Sequence, residues 1–248
     1  MLNSLWWMTF YVLLLFTSLL LGIRYGTVYK KKRSWESSGI ENAIIGIFGL
    51  IISFTFLQAG NAHKERSANL HREVNNIDML YRYSRELPDS MYQYTRHMLG
   101  NFLQYQLAYE KTDDITTFSN AKKISDAYWQ KLRRFKAEAT PEQVDIVNKI
   151  AGYFEQITAA VTSYAYANYE RTPVFIMFLL ITVSLLIGFL VGFMNGIKTR
   201  VHFLVPLIYF VTISLTMLVI SDLNNPRIGL IKPAYHHIQA AYDFIKQH

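Results

Sequence analysis

Residues 44–60 read IIGIFGLIISFTFLQAG and contain no charged side chain. Together with the residues before them they form an apolar run from Ile40 to Ala59. A helix needs about 20 predominantly apolar residues to cross roughly 30 Å of hydrocarbon. The run therefore predicts a membrane-spanning helix.

Three further runs have the same length and character: Trp6 to Tyr25, Val174 to Met194 and Phe203 to Ser221. The first is not a typical secretory signal, because nothing positive precedes it and no small-residue cleavage site follows it. The predicted fold is all-α and integral to the membrane, with four transmembrane helices in two hairpins that flank a helical extramembrane domain. The predicted segments are residues 1–60 (first hairpin), 61–172 (helical domain), 173–221 (second hairpin) and 222–248 (C-terminal interfacial tail).

The segment between the hairpins shows helical periodicity. Apolar residues at spacings of three and four predict that the second span continues as an amphipathic helix to about Leu87, where Pro88 ends it. Thr140-Pro141-Glu142-Gln143 predicts a later helix start, with Thr140 as N-cap, Pro141 at the first helical position and Gln143 closing a capping box.

Composition excludes several classes of protein. The chain is 51% hydrophobic, only 17% charged and has no cysteine, so disulfide frameworks, thiol nucleophiles and cysteine metal sites are excluded. The net charge of +7 lies at the ends of the apolar runs, where it favours contact with lipid headgroups over nucleic acid. No catalytic motif is present, and the histidine pair His63 and His71 is more typical of solvated side chains than of a metal site. We therefore expect no enzyme activity, cofactor or metal.

The second span has two faces of interest. Gly46, Gly49 and Ser53 make one side small, which predicts close helix packing. The bulky residues Phe48, Ile52 and Phe56 follow each other at four-residue spacing; in an oligomer they could ring an axial pore as a hydrophobic constriction. The alternative is that this bulky stripe faces lipid or packs on another span.

Polar residues concentrate after the second span. The candidates for a polar network are Arg66, Glu73, Asn75, Arg82 and Arg85. The alternative is a solvated helix face with local pairs of about 0.2 to 0.5 kcal/mol each. If an Arg–Glu pair were buried, loss of one partner would cost about 3 to 5 kcal/mol.

A second polar segment follows the fourth span, where Asp222 and Arg227 flank the turn residues Asn225, Pro226 and Gly229. The two charged residues either line the vestibule of a permeation path or simply turn the chain at the membrane surface.

These motifs resemble the Bestrophin-like domain family of bacterial membrane proteins. The likeness lies in Gly49-x3-Ser53-Phe54-Thr55-Phe56, in Glu73-Val74-Asn75-Asn76-Ile77 and in Asp222-Leu223-Asn224-Asn225-Pro226-Arg227-x-Gly229. The resemblance implies a homo-oligomer, a pentamer as in the anion-conducting bestrophins, whose second spans surround a pore for small ions. It also implies a cytoplasmic helical domain, whereas four basic residues directly after the first span predict that domain outside the cytoplasm.

The favoured function is therefore a bestrophin-like channel in the inner (plasma) membrane, with the lipid bilayer and further copies of the chain as partners. The alternative is a non-conducting membrane sensor or scaffold whose helical domain binds a partner.

Overall fold

The computed structural model describes residues 2–30, 39–112, 115–169, 172–198, 202–226, 229–233 and 235–247. In these ranges all regular structure is α-helical. The helices are α1 (Leu2–Lys30), α2 (Ile40–Ser84), α3 (Asp89–Thr112), α4 (Ile115–Glu138), α5 (Pro141–Tyr169), α6 (Val174–Gly196), α7 (Leu204–Leu223) and α8 (His236–Gln247). The all-helical prediction is confirmed.

Four of these helices, α1, α2, α6 and α7, are long and apolar enough to cross a membrane. They contain the four runs that the sequence predicts as spans, except that Phe203 is the N-cap of α7. In α2 the apolar run occupies only the first half, and the helix continues without a break to Ser84. The predicted extension of the second span is therefore present, and it ends shortly before Pro88.

The chain divides into two compact units. The membrane unit comprises Met1–Ala62 and Arg171–Ile231, and it contains the four apolar runs. The helical unit comprises His63–Glu170 and Lys232–His248. The segment expected to be an interfacial tail is thus shared, because Asp222 to Ile231 belongs to the membrane unit and α8 to the helical unit.

Glycines on α1 and α6 allow these two helices of the membrane unit to pack very closely. An added Cβ at Gly22 or Gly26 of α1, or at Gly192 or Gly196 of α6, would lie under 3.0 Å from backbone atoms of the other helix. Side chains reinforce the contact, since Ser18 Oγ donates to the Leu185 carbonyl at 2.6 Å. Small residues four apart are what close packing between membrane helices requires.

The helical unit is built around one apolar core. Its fully or almost fully buried members include Leu70 and Ile77 of α2, Leu99 and Leu103 of α3, Tyr128 and Leu132 of α4, Ile150 and Phe154 of α5, and Ile238 and Ile245 of α8. At the start of α5 the predicted capping box is formed, because Gln143 N donates to Thr140 Oγ1 at 3.4 Å and Thr140 N donates to Gln143 Oε1 at 3.0 Å.

Candidate functional site

The apolar half of α2 has a buried and an exposed face. Residues at alternating three- and four-residue spacing pack into the membrane unit, with Phe48, Thr55 and Ala59 at most 3% exposed. Phe48 belongs to a cluster with residues of α1, α6 and α7: Tyr11, Leu15, Leu180, Ile187, Ile213 and Met217. The buried face of α2 is therefore covered by other helices of the same chain.

The three constriction candidates do not share one environment. Phe48 is buried, Ile52 is half-buried against two apolar clusters, and Phe56 is 45% exposed. A helix turns by about 100° per residue, so each four-residue step moves a side chain about 40° around the axis. Two such steps carry the stripe from the buried face at Phe48 to the exposed edge at Phe56. Of the three, Phe56 is the one with an open side, and the pore role stays a prediction.

The small face of α2 is open. In the part of the chain that the structure describes, nothing lies within 4 Å of a Cβ added at Gly46, Gly49 or Gly60. Ser53 lies on the same side, and its hydroxyl bonds back to the Gly49 carbonyl at 2.7 Å. Within the chain the close helix packing that this face predicts is found instead between α1 and α6. The Gly22-x3-Gly26 and Gly188-x3-Gly192-x3-Gly196 spacings carry the same signal, and sequence reasoning missed them.

The polar residues of the helical unit fall into a buried and an exposed group. Arg66 and Glu73 are completely buried. Arg66 Nε donates to the Ala167 carbonyl at 2.9 Å, and Glu73 Oε2 accepts from Gln106 Nε2 at 2.7 Å. Gln106 of α3 is a partner that the sequence pattern does not identify, because it lies 33 residues from Glu73.

Burial dominates the electrostatics of Glu73, which lies outside the apolar half of α2. Loss of solvation disfavours the carboxylate and raises the pKa of Glu73 to about 8, while the hydrogen bond from Gln106 opposes part of this shift. A carboxyl group of this kind is largely neutral at pH 7.

The remaining members of the predicted network, Asn75, Arg82 and Arg85, are exposed. Arg82 pairs with Asp78 at 2.9 Å, with the two side chains 70% and 44% exposed. Such a surface pair contributes only about 0.3 to 0.5 kcal/mol. For these three residues the structure therefore shows the solvated face that the sequence analysis considered as the alternative.

Asp222 organises the turn after α7. Its Oδ1 accepts from the backbone N–H of Leu230 and its Oδ2 from that of Ile231, both at 2.7 Å. Gly229 is required beside it, because an added Cβ would lie 2.7 Å from Asp222 Oδ1. Asn224 Oδ1 accepts from Thr172 Oγ1 at 3.0 Å. Asp222 and Gly229 thus stabilise a turn after α7. Arg227 lies outside the described residues.

Histidines of the helical unit form a small cluster. The His71 ring lies 4.6 Å from that of His237, which lies 4.0 Å from that of His236. Partial burial and then its two neighbours lower the pKa of His237. Among the residues described, no three His, Asp or Glu side chains are placed to share a metal ion.

Comparison with known proteins gives one family and one fold. The model of the Bestrophin-like domain family matches residues 40–232. Crystal structures of a bacterial bestrophin homologue from Klebsiella pneumoniae are similar to the chain. A tryptophan-to-alanine variant of that protein gives a TM-score of 0.76 at 11% identity, covering 98% of this chain and 96% of its own. A tyrosine-to-alanine variant gives a TM-score of 0.73 at 11% identity, and the match covers 96% of each chain. No curated protein sequence matches.

Proposed function

The chain belongs to the Bestrophin-like domain family, and on that premise we propose that it is a multi-pass protein of the inner membrane whose copies assemble into an ion channel. Known members of the bestrophin family are anion channels, so anions are the expected ions. The pentamer of the bestrophins is the expected assembly. The observation that carries this proposal is the open, small-residue face of α2.

This face is poorly suited to a lipid environment. Gly46, Gly49, Ser53 and Gly60 offer little side-chain surface for contact with acyl chains, and none of the described residues covers Gly46, Gly49 or Gly60. Small and hydroxyl-bearing residues on membrane helices favour contact with other helices, and they also leave room for water. Both properties fit a helix that surrounds a common axis.

Phe56 is the proposed constriction. It lies on the edge of the small face, 45% exposed, and its ring is the bulky group between Ser53 and Gly60. In a symmetric assembly one phenyl ring from each copy narrows the path, and a ring of apolar groups excludes water and ions when it is narrow. Ile52, half-buried one turn earlier, contributes to the rim, while Phe48 is engaged within the chain.

The test is conductance of purified protein in planar bilayers, with the oligomeric state of each preparation verified by native mass spectrometry. Phe56→Ala should increase the conductance or the leak, because it removes the bulky ring. Phe54→Ala is the matched control, since Phe54 is 67% exposed but points about 160° away around α2. We expect it to conduct like the parent.

Two outcomes would contradict this function. Silent bilayers from verified oligomers would exclude conduction, and a monomer or dimer would exclude a five-fold pore; either would favour a membrane scaffold. A larger effect of Phe54→Ala than of Phe56→Ala would retain the channel but refute the constriction.

A further inference from the structure

We propose that Glu73 is a proton-binding site: in the folded protein its carboxyl group is neutral and shares its proton with the side-chain oxygen of Gln106, which joins α2 to α3. This proposal does not depend on whether the protein conducts ions.

The geometry of unsatisfied atoms points to the proton. Glu73 Oε2 already accepts from Gln106 Nε2 at 2.7 Å. The other carboxyl oxygen, Glu73 Oε1, and the amide oxygen, Gln106 Oε1, are both buried and have no hydrogen-bond partner in the described part of the chain. Buried oxygens of this kind are rare in folded proteins, because an unmade bond costs about 1 to 3 kcal/mol.

One proton satisfies both atoms. A carboxylic acid donates through its O–H, and a primary amide offers a carbonyl acceptor beside its N–H donor, so the two groups are complementary in two parallel hydrogen bonds. With the proton on Glu73 Oε1, that atom donates to Gln106 Oε1 while Gln106 Nε2 continues to donate to Glu73 Oε2. No atom of the pair is then left unsatisfied.

The alternative is a carboxylate balanced by a cation, and the described neighbours do not favour it. The basic groups nearest to Glu73 along α2 are directed elsewhere: Arg66 donates to the Ala167 carbonyl, the His71 ring lies against that of His237, and Arg72 is exposed. Arg66 shares the face of Glu73 but lies seven residues earlier, about 10 Å along the helix axis. An uncompensated buried carboxylate is strongly disfavoured.

The consequence is a dependence of folding on pH. Burial raises the pKa of Glu73 from 4.5 to about 8. Between these values the folded protein holds a proton that the unfolded chain has released. The stabilising contribution is thus complete below pH 4.5 and is lost as the pH rises toward about 8. The unfolding equilibrium constant should rise up to about tenfold per pH unit across this window from this one site, and then level off.

The test compares Glu73→Gln with Glu65→Gln, a change at an exposed glutamate of the same helix. Glu73→Gln keeps a neutral group of similar shape, so it should remove this slope of up to about tenfold per pH unit from the pH profile of unfolding in detergent. Glu65→Gln should retain the slope. If the unfolding equilibria of the parent and of Glu73→Gln had the same dependence on pH, the proposal would be overturned.

A second measurement needs no variant to fold. Difference infrared spectra of the parent protein between pH 6 and pH 10 should show the carbonyl band of a buried protonated carboxyl group disappearing with a midpoint near pH 8. In Glu65→Gln the band should persist at pH 6. Absence of such a band in the folded parent at pH 6 would show that Glu73 is ionised and would refute the proposal.

Discussion

Replacing Gly192 by alanine tests how the membrane unit is held together. The new methyl carbon would lie 3.1 Å from both the carbonyl carbon of Leu19 and the amide nitrogen of Ile23, and closer still to the carbonyl oxygen of Leu19. These are backbone atoms of α1, so no side chain can rotate away. Ordinary van der Waals contact begins at 3.4 Å, so the two helices must move apart by roughly 1 Å at this point.

The magnitude follows from what this separation removes. A gap of about 1 Å forfeits up to about half of the dispersion energy of each affected contact. It also stretches the bond from Ser18 to the Leu185 carbonyl, now 2.6 Å, and that from the Tyr11 hydroxyl to Ser184 Oγ, now 2.9 Å. Overpacking of this kind costs about 1 to 3 kcal/mol. For a chain of this size that lowers the melting temperature by about 2 to 12 °C.

The assay is thermal unfolding of purified protein in detergent, followed by fluorescence or by loss of the monodisperse peak in size-exclusion chromatography. Gly152→Ala in α5 is the matched control, because no atom of the described residues lies within 4 Å of a Cβ at that position. We expect the control to melt at or above the parent temperature, since alanine favours a helix more than glycine does. The packing argument would be refuted if Gly192→Ala had the melting temperature of the parent, or if the control variant lost as many degrees as Gly192→Ala.

Two further predictions concern local structure. Asp222→Ala removes the acceptor for the backbone amides of Leu230 and Ile231; we expect a loss of about 1 to 2 kcal/mol and faster hydrogen exchange at both amides, and unchanged protection there would contradict the turn. Thr140→Ala opens the capping box of α5 and should cost about 1 kcal/mol of unfolding free energy, whereas Thr140→Ser should be close to neutral; equal stability of the two variants would show that the cap contributes nothing.

The sequence alone determined the features that depend on neighbouring residues. The four spans follow from runs of apolar residues, because the bilayer requires a minimum length and a low charge. The capping box at Thr140 and the end of α2 shortly before Pro88 depend on groups within one turn of helix. The motifs around Ser53, Glu73 and Asp222 were sufficient to predict the family.

Only the tertiary structure decided which side of each helix is covered. Phe48 and Phe56 have the same residue type and lie in one stripe, yet the first packs against α1, α6 and α7 and the second has an open side. Glu73 meets Gln106 across 33 residues, and Gly22 meets the backbone of α6 across a still longer separation. Periodicity shows that a helix has two faces, but the partner that covers one of them comes from a distant part of the chain, and its position is set by the packing of the whole unit.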